Sequence, residues 1–152
     1  MMPGRFHGTC RWTWINKDWV RFHQCAHDRV PFAYTTSDGR QKTMPLHFIS
    51  DGGSIPRPFQ NIVRRDELMP AWFLHDRDYA LQDIPREVAD ADLDEMVYTL
   101  TAGYLWIRRG IIWSLVHACG EGSWAWNQTP KRKAQIAAVK ALIPPGDLVF
   151  GT

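Results

Sequence analysis

The segment His75-Asp76-Arg77-Asp78-Tyr79 sets an imidazole, two carboxylates and a phenol close together inside a run of apolar neighbours. Imidazole is the side chain best placed to take up a proton near neutral pH. His75 and Tyr79 are four residues apart, so a helix brings them to one face, with Asp76 one position round. Trp72, Phe73, Leu74, Ala80 and Leu81 flank them. Some of these polar groups must therefore lie near a core and find partners there. Such surroundings shift proton affinities, and the set reads as a candidate acid-base site. The same side chains are also suited to a hydrogen-bond network that does no more than fasten helices together.

Two further segments bear on that choice. Asp90-Ala91-Asp92-Leu93-Asp94-Glu95 holds four acids in six residues, a run that ordinarily marks a solvated helix face. Asp90, however, falls in step with Leu93 and Val97, so it can point at the helix that carries His75. A carboxylate there accepts a proton from one ring nitrogen, fixes the tautomer and leaves the other nitrogen as a base. Ahead of both lies Ser50-Asp51-Gly52-Gly53-Ser54-Ile55-Pro56-Arg57-Pro58, whose glycines and prolines exclude regular structure. Gly52 and Gly53 tolerate positive φ, so loop carbonyls or amides can turn toward an ion or an oxyanion. Asp51 also suits a plain turn acceptor.

The elements that must position these groups change in period along the chain. Residues 5–50 read as strands and turns. Trp12, Trp14, Trp19, Val20 and Phe22 alternate about the turn-like Asn16-Lys17-Asp18. Val30 to Thr36 and Thr43 to Ile49 read as a hairpin about Ser37-Asp38-Gly39-Arg40. Beyond the Gly/Pro loop the period becomes helical. Pro70 suits a first turn and Ala71–Leu81 a three-turn helix. Arg86–Thr101 is a second helix, with Ala89, Leu93, Met96, Val97 and Leu100 as its buried stripe and Gly103 as its stop. Tyr104–Cys119 reads as a third, followed by a Gly/Trp loop and a short Ala-rich helix over Pro130–Leu142. The expectation is an α+β fold in one domain, 1–152. Antiparallel hairpins of three or four strands (5–50) and a Gly/Pro loop (51–69) precede three to four packed helices (70–143).

Composition bounds the function. With 152 residues, 45% apolar and 22% charged, the chain has the make-up of an ordinary globular domain. A net charge of +2 is too small to argue for nucleic acid, and Arg64-Arg65, Arg108-Arg109 and Lys131-Arg132-Lys133 read as solvated helix ends or loops. Eight tryptophans point first to a Trp-rich core. Cys10, Cys25 and Cys119 form no CxxC pair, which argues against a zinc knuckle and a disulfide scaffold. The N-terminus shows no apolar stretch of signal-peptide type. The apolar run Tyr104–Ala118, broken at Arg108-Arg109-Gly110, reads as a buried amphipathic helix rather than a membrane span.

The stretch Met44–Arg57, the His75-Asp76-x-x-Tyr79 helix and Arg86-x-x-Ala89-Asp90 together resemble the signature of an uncharacterised family of small phage and prophage proteins. The resemblance spans roughly residues 30–115. It implies a phage or prophage origin, residence in the host cytoplasm or the virion, and other virion proteins as partners. It implies no settled activity. More distantly, a glycine-containing loop ahead of a His-Asp-x-x-Tyr helix is similar to phospholipases A2. That similarity implies a Ca2+-dependent hydrolase of an ester or lipid. His75 would activate water, Asp90 orient it and Tyr79 support the pair. Asp76 would ligate calcium with the Gly52 and Gly53 carbonyls, Asp51 joining the set. The chain departs from those enzymes in having no cysteine beside His75 and a shorter glycine loop.

Three functions thus compete. One is a hydrolase built on His75. Another is a phage tail or neck component whose His-Asp-Asp cluster is structural and whose tryptophans make contacts. The third, a metal-dependent phosphohydrolase using His47, His75, Asp76 and Asp90, is the weakest, because His47 falls on an expected strand.

Overall fold

The computed structural model describes residues 4–24, 28–52, 66–103 and 106–142. The architecture is α+β. Among the described residues, six short strands, β1 (Arg5–His7), β2 (Arg11–Trp14), β3 (Val20–His23), β4 (Ala33–Thr35), β5 (Gln41–Thr43) and β6 (Ile49–Ser50), precede four helices. These are α1 (Met69–Leu81), α2 (Arg86–Thr101), α3 (Trp106–Asn127) and α4 (Pro130–Ala141). The strands form two antiparallel sheets, ordered β1-β4-β5 and β2-β3-β6.

Turn chemistry explains this division. The hairpin of β2 and β3 follows the alternation read from the sequence, with Trp12 opposite Phe22 and Trp14 opposite Val20. Gly39, at φ +88°, closes the tight turn between β4 and β5. The return strand ends at Thr43 rather than running on to Ile49. Pro45 has no N–H for a ladder, and the chain turns there, the Phe48 amide donating to the Pro45 carbonyl with His47 at φ +60°. His47 therefore sits in a turn, not on a strand, and Ile49–Ser50 crosses to pair with β3 in the other sheet.

α1 is the central helix. Met69, the run Ala71–His75, Asp78 and Tyr79 are all buried, so it has no solvent stripe, as befits a helix packed on several sides. It packs with Val20, Phe22, Phe32, Tyr34 and Met44 from the sheets and with Leu93, Met96 and Val97 from α2. The core is thus built mainly from Phe, Leu, Met and Val. Of the eight tryptophans only Trp72 is buried, so the Trp-rich core expected from composition does not form.

The acidic run of α2 is no solvated face either. Asp92 is buried against Lys42 at 2.5 Å and takes a bidentate pair from Arg40 at 2.7 and 2.8 Å. Asp94 receives Arg109, while Glu95 accepts from the Tyr34 hydroxyl at 2.8 Å and from the Ser37 amide and hydroxyl. Lys42 also reaches Asp78 of α1, which Arg77 contacts at 2.6 Å. These pairs tie the sheet β1-β4-β5 to α1 and α2.

The stretch read as a Gly/Trp loop is helical. α3 continues through Gly120, Gly122, Trp124 and Trp126 to Asn127. Glycine weakens a helix interior by roughly 1 kcal/mol each, yet Gly120 is needed there. A Cβ on it would stand 2.4 Å from the Tyr79 hydroxyl oxygen and 3.2 Å from Arg86 Nη1. The close approach of α3 to α1 thus selects the glycine.

Candidate functional site

His75 is 5% exposed and its Nε2 lies 3.0 Å from Asp90 Oδ1, the contact that the α2 spacing predicts. Tyr79 donates its hydroxyl to the same oxygen at 2.6 Å. Two adjacent helices therefore deliver three side chains to one point: His75 and Tyr79 one turn apart on α1, Asp90 on the inward stripe of α2. The Tyr79 ring packs 4.2 Å from the His75 ring and edge-on to Trp124 of α3 at 5.0 Å, which restricts both rings. An ionised Asp90 can only accept. Its contact with Nε2 thus assigns the proton to Nε2 and leaves Nδ1 as the acceptor nitrogen, with no hydrogen bond among the described residues.

Proton affinities follow from this geometry. Burial pushes the Asp90 carboxyl up, but the hydrogen bonds from His75 and Tyr79, aided by the charge of Arg86, outweigh it and hold the group below the ordinary carboxylate value. Burial also raises the Tyr79 phenol well above its usual range, and its bond to Asp90 acts in the same direction. Tyr79 is thus a fixed donor, and Asp90 stays anionic.

The His75 ring forms part of the wall of a cavity of about 350 Å³. One wall comes from β6 and α1, with Ser50, Asp51, Trp72, His75, Asp76 and Tyr79. The facing wall is a helical stripe of α3, Ile112, Leu115, Val116, Cys119 and Ser123, closed by Arg132 and Ile136 of α4. A pocket of this size, mostly apolar with a few converging polar groups, suits a small organic ligand. α3 spends its inward stripe on this cavity, which is why only Ile112 and Gly120 of its 22 residues are buried.

Asp76 faces the cavity next to His75, and its carboxylate accepts from the Ser50 hydroxyl. The Ser50 oxygen in turn accepts from the Gly52 amide at 2.6 Å, and Gly52 sits at φ +69°. Gly52 is thus joined to Asp76 through Ser50. Asp51 also lines the cavity, where its carboxylate meets Arg132 at 3.2 Å. Gly53 lies outside the described residues.

Four residues that matter here were given no role of their own by the sequence, although Ser50 and Arg86 fall inside the phage-family signature. Ser50 stands one position before the glycine loop, and nothing in its spacing marks it. Arg132, read as part of a solvated basic cluster, is instead largely buried: its guanidinium stacks 4.5 Å over Trp19 and pairs with Asp51. Gly120 and Arg86 pack against the back of the His75–Tyr79–Asp90 cluster. For Arg86, the four-residue step to Asp90 is the available signal.

Comparison with protein-family models, with curated proteins and with solved structures finds no match for this chain.

Proposed function

We propose that the chain is a hydrolase of ester-type bonds in small apolar substrates, with His75 as the general base. One observation carries this reading. The imidazole is fixed through Nε2 by an anionic carboxylate while its ring borders a cavity large enough for a substrate. Water at Nδ1 gives up a proton to the ring as its oxygen adds to the carbonyl carbon. The imidazolium formed is stabilised by Asp90, then returns the proton to the alkoxide oxygen as the C–O bond breaks. Tyr79 keeps Asp90 oriented, and the α3 stripe holds the apolar part of the substrate.

The calcium expectation rests partly on Gly53, outside the described residues. The described residues supply two carboxylates, Asp76 and Asp51, and the second faces Arg132. Among them no group of three or more His, Cys, Asp or Glu is placed to hold a metal. Two carboxylates carry at most four of the six to eight oxygens that calcium takes, so backbone carbonyls and water would have to complete the shell. No step is therefore routed through a metal.

Aryl and alkyl esters of graded chain length, offered to the wild type and His75→Ala, test the proposal. Turnover in the wild type should fall by about 10²–10⁴-fold in the variant, with its circular dichroism unchanged. Equal turnover in both, or none in the wild type, overturns the reading.

A second reading, a phage virion component, draws support from the outer face of α3. Trp106 is 73% exposed, Ile107 and Trp113 are exposed beside it, and Leu142 is exposed beyond α4. Exposed large apolar side chains of this kind suit an assembly partner. The His75 cluster would then only fasten α1 to α2, and His75→Ala would lower stability without removing any activity.

A further inference from the structure

Arg86 opens α2, and its side chain is largely buried, yet its guanidinium hydrogen-bonds to no described residue. Four residues on, Asp90 Oδ2 is also buried and without a hydrogen-bond partner. The two orphaned atoms, Arg86 Nη1 and Asp90 Oδ2, face each other across 4.0 Å. That gap is too long for a hydrogen bond and short enough for one water molecule to touch both. A buried cation and a buried anion both left unsatisfied would be costly, and a bridging water is the usual remedy. Gly120 of α3 packs directly beside this pair: a Cβ there would come within 3.2 Å of Arg86 Nη1 and would run into the Tyr79 hydroxyl. Three helices thus meet around one polar notch beside the His75–Asp90 pair.

We propose that Arg86 is a positioning residue for His75, acting through a single buried water that accepts from Arg86 Nη1 and donates to Asp90 Oδ2. Asp90 then has both oxygens engaged: Oδ1 by His75 and Tyr79, Oδ2 by the water. Its carboxylate plane is fixed, and with it the proton on His75 Nε2. The purpose assigned to the arrangement rests on the hydrolase reading, but the arrangement itself does not.

The test uses the full chain labelled with 15N-histidine, as wild type, Arg86→Lys and Arg86→Met, together with a crystal structure of the wild type. A protected Nε2 proton on His75 should appear in the wild type and persist in Arg86→Lys, whose ammonium keeps a donor in the notch. In Arg86→Met it should exchange faster by about tenfold or more, the scale of one lost hydrogen bond, at unchanged near-ultraviolet dichroism. Wild-type density should show a water between the two atoms. An unchanged exchange rate in Arg86→Met overturns the proposal, as does a direct Arg86–Asp90 contact with no water. Should Arg86→Met not fold, the wild-type density and the Arg86→Lys spectrum decide alone. A wild type that shows this pattern but hydrolyses no ester sinks the hydrolase reading and leaves the Arg86 assignment standing.

Discussion

Asp90 carries opposing influences in one side chain. Burial favours its neutral form, and two hydrogen bonds with a nearby guanidinium favour its anion. The anion wins, so the folded carboxyl titrates below the unfolded value of about 3.9. A group with a depressed folded pKa contributes stability that is complete above the unfolded value and is lost as pH falls through the folded one. Asp90→Asn should therefore be less stable than wild type at pH 7, and the gap should narrow below about pH 4. Urea melts at pH 7, 5 and 3.5 check this; a gap that stays constant across the range would show that Asp90 is not ionised in the folded chain. The spacing to Leu93 and Val97 made the direction of Asp90 legible. Spacing alone did not give the Tyr79 bond, which only the phospholipase likeness implied; a helical tyrosine has two common χ1 rotamers, and in the fold its ring packs edge-on to Trp124.

α3 shows how one element can hold two kinds of glycine. Gly120 lies against the Tyr79 hydroxyl, while an added Cβ on Gly110 would meet nothing within 4 Å. Gly110→Ala should therefore stabilise the chain by about 0.5–1 kcal/mol through helix propensity alone. Gly120→Ala should destabilise it by about 1–3 kcal/mol, since the ring of Tyr79 is pinned and overpacking has no easy outlet. Thermal or urea melts of the two variants check both signs, and equal effects would remove the packing argument. The pattern Gly120-Glu121-Gly122 reads as a loop because glycine is a poor helix former. It is helical because the close approach of α1 favours the smallest residue at 120, and Trp124 and Trp126 beyond it gain packing on Tyr79 and at the cavity wall.

At the level of the molecule, the two halves are joined by charge as well as by apolar packing. Lys42 of β5 sits buried between Asp78 of α1 and Asp92 of α2, with Arg40 and Arg77 outside it. Removing the lysine leaves the two buried carboxylates with only the flanking Arg40 and Arg77 as counterions. Leaving a buried charge without its partner costs about 3–5 kcal/mol, so Lys42→Met should lose up to that amount in urea unfolding. A loss under about 1 kcal/mol would place these groups in water rather than in the interior. No helix among the described residues is long and apolar enough to cross a membrane.

The sequence by itself determined the α+β order, the β2–β3 hairpin, the limits of α2 and the inward direction of Asp90. Each of these is written in local periodicity, in turn residues or in a step of three or four along one helix. The tertiary structure alone decided the split into two sheets, the helical path through Gly120, the burial of Asp92 and Arg132, and the cavity that His75 borders. Those outcomes depend on which surfaces meet. A charge or a glycine has one meaning in water and another against a partner distant in the chain.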